Sequence, residues 1–173
     1  NLFQIMEISS LQEQKKELKT LSKEELAELC LRLGKYKKEN KELLNFLLFH
    51  RHDAENYIEQ VKHSLQVAFD ELNPHPYYCT KSLRKILRTI SRQAKFIAQT
   101  HLEIELLFWF CHNYLEKVNL KTTNKSLQQL FTRQLEKIDK CCLKLHEDLQ
   151  FDVRQELEKI HTLAEERTTW FRL

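Results

Sequence analysis

The chain has 173 residues, a formal net charge of +3, and one Gly and two Pro in its whole length. Tight hairpins, bulges and phosphate-cradling loops draw on Gly for positive φ, so β-sandwiches, Rossmann folds, P-loops and nucleophile elbows are excluded and an all-α fold is expected. Hydrophobic residues at 42% suffice for a core and charged residues at 31% for a solvated exterior, while a charge of +3 is too small to mark a nucleic-acid binder by itself.

In chain order, Ser10-Leu-Gln-Glu13 and Ser22-Lys-Glu-Glu25 are capping boxes. The second opens a helix with Leu26, Leu29, Cys30 and Leu33, expected to stop at Gly34 in a left-handed C′ conformation. A third helix, Tyr36 to Phe49, is expected to bury Leu43, Leu44, Phe46, Leu47 and Leu48. Asp53 caps a fourth, whose Ala54, Tyr57, Ile58, Val61, Leu65, Ala68, Phe69 and Leu72 fall on one stripe. Asn73-Pro-His-Pro76 ends it. Tyr77 to Ala98 forms the next helix, with Leu83, Ile86, Leu87, Ile90, Ala94 and Ile97 inward. Thr100-His-Leu-Glu103 reads as a capping box that opens a helix over 102–118, apolar almost all round and therefore central. After a polar loop at 119–124, Leu127, Leu130, Phe131, Leu135, Ile138, Cys142, Leu145 and Leu149 mark one long helix, and Asp152-Val-Arg-Gln155 the start of a last one. The expectation is seven to eight helices in an irregular antiparallel bundle or short α–α superhelix around 102–118. A single all-helical domain is expected over residues 1–173, with room in it for a helical hairpin at 10–49 packed on a bundle at 53–167.

Residues Leu21 to Leu29 (LSKEELAEL), followed by a Lys-rich second helix and an aromatic turn, resemble the opening of an uncharacterised family of small all-helical bacterial domains. The resemblance covers about a quarter of the chain. It implies an all-helical fold and carries no activity, cofactor or site residue.

Between Leu72 and Leu102 there is no carboxylate, yet there are six basic residues: Lys81, Arg84, Lys85, Arg88, Arg92 and Lys95. At 100° per residue they share one stripe opposite Leu83, Ile86, Ile90 and Ile97. Like charges on such a face repel, so a counter-charge outside the helix is expected. The plainer reading is internal: pairing with the acidic segment 147–166, with Glu147, Asp148, Asp152, Glu156, Glu158, Glu165 and Glu166, or a merely solvated face. The other is an external anionic partner: an acidic protein surface, a nucleic-acid backbone bound through the same stripe without sequence preference, or an anionic membrane, which is disfavoured because the core needs the apolar side of this helix. Lys35, Lys37, Lys38 and Lys41 extend the patch if they share its face. No helix-turn-helix, zinc finger or RNA-binding aromatic signature accompanies it.

His50, His52 and His101, with His146, Asp53, Glu103 and Asp148, would meet at one bundle end if helix lengths match, the sole arrangement resembling a metal site. Their ordinary reading is that His50 and His52 sit at a helix C-terminus. Of the five cysteines, Cys141 and Cys142 are adjacent rather than spaced as a redox pair, and the odd count fits a reducing compartment. Leu2 to Ile8 is short, broken by Gln4 and Glu7, and lacks a basic flank, so no signal peptide is expected. No apolar run approaches a membrane span. The sequence therefore reads as a cytoplasmic, non-enzymatic interaction module without cofactor or metal, free to self-associate, with the Trp170-Phe171 tail either a partner contact or docked on its own core.

Overall fold

Capping side chains set where most of the helices begin. The structure, a computed structural model, describes residues 8–172; the Leu2–Ile8 segment, Ile8 apart, lies outside them. Eight helices and no strand occur among the described residues: α1 (Leu11–Leu18), α2 (Lys23–Tyr36), α3 (Lys38–Phe49), α4 (Ala54–Asp70), α5 (Pro76–Ile97), α6 (Thr100–Lys117), α7 (Lys125–Cys142) and α8 (Glu147–Arg167). The fold is all-α, as expected. Ser10 and Ser22 form reciprocal capping boxes with Glu13 and Glu25, whose carboxylates those hydrogen bonds hold below the ordinary range. Asp53 and Asn124 cap α4 and α7. No described helix is long and apolar enough to cross a membrane.

The chain divides into two compact units, 1–49 and 50–173. In the first, α2 packs on α3, and the Asn40 side chain donates to the Leu33 carbonyl at 2.9 Å. Gly34 does not end α2. It lies inside the helix, buried and without positive φ, and a Cβ there would meet Leu44 Cδ2 at 3.0 Å. The glycine serves helix approach, not a C-cap. Of the residues expected inward on α3 only Phe46 is buried; Leu47 and Leu48 are exposed. Leu43 and Leu44 are half-buried, Leu44 beside Gly34 of α2.

In the second unit, α6 packs on α4, α5, α7 and α8. It buries side chains around its circumference, with Leu106, Phe110, Cys111 and Tyr114 wholly inaccessible. An aromatic path runs from Phe69 through Phe110, Tyr114 and Phe131 to Phe171. Tyr114 donates to the Leu127 carbonyl at 2.8 Å, which satisfies its buried hydroxyl. The C-terminal tail docks on this core: Phe171 is buried against Phe131, and the Trp170 indole N–H donates to the Leu120 carbonyl at 3.0 Å.

Two boundaries differ from expectation. The α5–α6 break is made by Ala98 in the left-handed conformation at φ 53°, and Thr100 is already helical, with no side-chain cap at Gln99. The long helix after Lys125 ends at Cys142, ahead of the expected Leu149, so Asp152 lies inside α8 instead of opening it. The last turn tightens as the Lys144 and Leu145 amides bond the Cys141 and Cys142 carbonyls, and His146 then caps α8 by accepting from the Asp148 amide.

Candidate cationic groove

The basic stripe lies along α5, whose opposite face is locked into the bundle by Leu83, Ile86, Ile90 and Ile97, each 6% exposed or less. That burial turns Lys81, Arg84, Lys85, Arg88 and Lys95 outward, where all five are exposed; Arg92 is half-buried. Among the described residues, no carboxylate lies within ion-pairing distance of those five. The acidic helix α8 packs on α6 and α7, whereas α5 packs on α4, α6 and α7. Lys35, Lys37, Lys38 and Lys41 belong to the other compact unit.

Part of the stripe forms one wall of a groove of about 860 Å³ between α5 and α7. Tyr77, Lys81, Arg84 and Arg88 line it from α5, and Ser126, Leu130, Arg133, Gln134 and Lys137 from α7. Both walls follow the 4-3-4 spacing of a helix face, so each runs about 17 Å over eleven residues. Half-buried Leu87 gives an apolar lining, over a floor of the buried Ile90, Leu107 and Leu130. The groove therefore carries five cations. Lys137 is neutralised by Glu103 at 2.6 Å, and among the described residues the other four have no such partner. Lys85 and Lys95, on the same helix, do not line it.

The sequence does not single out Arg133 and Lys137. Their i,i+4 spacing beside the inward Leu130 was a visible signal, but nothing in the sequence says that this face of α7 stands opposite α5. Such a groove has the chemistry to take an extended anionic and partly apolar ligand. Cations on both walls attract carboxylates or phosphates, and the aliphatic lining rewards an apolar side chain that enters between them.

The histidine arrangement does not assemble. Among the described residues, no group of three or more His, Cys, Asp or Glu is placed to hold a metal ion. The 51–55 turn and Gln99 do share one end of the bundle, lining a hollow of about 280 Å³. There His52 accepts from Arg51 Nε at 2.9 Å, and His50 lies against the Tyr57 ring. His146 is spent on capping α8. All five cysteines are free, and burial pushes the Cys79, Cys111 and Cys141 thiols above their ordinary range, away from nucleophilic character. No protein-family model, curated protein or solved structure matches the chain at a significant level.

Proposed function

We propose that this chain is a non-enzymatic interaction module, at work in the cytoplasm, whose cationic α5 face engages an acidic protein surface. The observation that carries this reading is the pairing of walls in the groove, where Arg84 and Arg88 face a ligand space shared with Arg133 and are balanced by no carboxylate of the described residues. Holding uncompensated like charges along one helix costs a few tenths of a kcal/mol per i,i+4 pair, roughly, and an acidic partner reverses that cost. The aliphatic lining favours a protein partner over a phosphate backbone, which has no apolar group to place there.

Sequence-independent nucleic-acid binding is the second reading. Tyr77 favours it, standing 65% exposed at the groove with Lys81 one turn away, a stacking surface beside cations.

Fluorescence anisotropy with two labelled probes separates the readings. One probe is a 16-residue Glu/Leu/Ala helical peptide and the other single-stranded dT20, each titrated at about 50 and 200 mM salt. The peptide is expected to bind more tightly than dT20 at the higher salt, and Arg84/Arg88/Arg133→Glu to weaken it at least tenfold. Tighter binding of dT20 with a steep salt dependence would transfer the groove to nucleic acid. Binding of neither probe at low salt would remove both readings.

A further inference from the structure

The outer face of α8 matches the groove in length, charge and apolar content. On the first three turns of that helix Phe151 stands 63% exposed, at the centre of the face opposite the buried Leu157, Ile160 and Ala164. Glu147, Asp148, Asp152 and Glu158 surround it, all exposed. Among the described residues, Glu147, Asp152 and Glu158 make no ion pair, while Asp148 meets only the His146 cap at 3.3 Å. Arg154 is the single cation between them, and it donates to the Gln150 side chain at 3.1 Å. From Glu147 to Glu158 is eleven residues, about 17 Å of helix, the same span as each wall of the groove.

We propose that a second copy of this chain is a partner of the groove: the acidic outer face of α8 in one copy lies between α5 and α7 of another, with Phe151 directed at the aliphatic lining. The inference rests on the acidic-partner reading above and names its occupant. The contact is intermolecular because α8 is already committed, through Leu157, Ile160 and Ala164, to α6 and α7 of its own chain. Its Phe151 face is turned about 150° from that buried stripe. An exposed aromatic ringed by carboxylates is a poor solvent surface and a good anchor, since a cationic rim around an apolar lining excludes water from both. Reciprocal exchange between two copies gives a closed pair; one-way docking gives a growing chain.

Sedimentation velocity of the full chain at about 100 µM, in roughly 50 and 500 mM salt, tests this. The wild type is expected to sediment above its 21.0 kDa monomer mass at low salt and to return to it at high salt. Arg84→Glu/Arg88→Glu, Asp152→Lys/Glu158→Lys and Phe151→Ser are each expected to stay monomeric. Mixing the first two restores association, because each retains the surface the other has lost, and that rescue shows both are folded. A wild type that stays at 21.0 kDa in low salt, or association that none of the variants weakens, overturns the second copy as occupant. Neither result touches the peptide titration, which alone measures the acidic-partner reading.

Discussion

His161 shows how one side chain couples the tail to pH. Its ring packs against Phe171 at 5.6 Å between centroids, and burial pushes its pKa below the ordinary value of 6.5, against the opposing pull of Glu165, Asp139 and Glu158. A histidine held neutral on folding takes up its proton more readily when unfolded, so stability rises with pH wherever the unfolded chain binds more protons. The contribution is complete above about pH 6.5. It is lost as pH falls through the depressed folded value, below which it levels off. Urea unfolding of wild type and His161→Gln from pH 7.5 to 5 is expected to show the wild type losing its margin over the variant as the solution is acidified. A margin flat across that range would show that the ring titrates as it does in solvent.

At the scale of elements, Gly34 offers a separable test of why a helix interior carries the chain's one glycine. Replacing it by Ala recovers roughly 0.5–1 kcal/mol of helix propensity, but the new Cβ meets Leu44 Cδ2 at 3.0 Å. The full gain is therefore expected only in a Leu44→Ala background, with a smaller gain or a loss when Leu44 is present. Equal effects in both backgrounds, read from urea midpoints, would mean that the α2–α3 approach does not require glycine. The same residue marks a limit of sequence reading. A glycine after an apolar stripe has the pattern of a C-cap, and only the packed neighbour distinguishes close approach from positive φ. The α7–α8 break was illegible for a related reason, since Cys142, Leu145 and Leu149 continue the apolar spacing across it while Leu143 is 65% exposed. His146 does the capping there, and histidine is outside the usual Ser, Thr, Asp and Asn vocabulary. What was legible rested on strong local chemistry: two capping boxes, the Asp53 cap, the double-proline stop before α5 and the all-round apolar α6.

At the scale of the molecule, one wall of the groove could be read from the sequence, because Lys81, Arg84 and Arg88 lie within a single carboxylate-free helix. The second wall could not, since Arg133 and Lys137 reach it only through helix packing between distant stretches of chain. The two compact units differ just as sharply in how much they hide. Leu106, Phe110, Cys111 and Tyr114 of α6 are inaccessible, whereas α1 buries no side chain, α2 buries only Gly34 and α3 only Phe46. Opening a segment costs free energy in proportion to the apolar surface it uncovers, so local stability follows this division. Native-state hydrogen exchange is expected to give the amides of α6, and of α7 around Phe131, the full unfolding free energy. Amides of α1 and α2 should exchange orders of magnitude faster, through openings that leave α6 intact. Protection of α2 equal to that of α6 would mean that both units unfold in one cooperative transition. In that case Gly34→Val, which forces α2 from Leu44, would lower the protection of α6 as well. If the units open separately, the substitution releases only the amides of α2 and α3, and the groove retains its two walls.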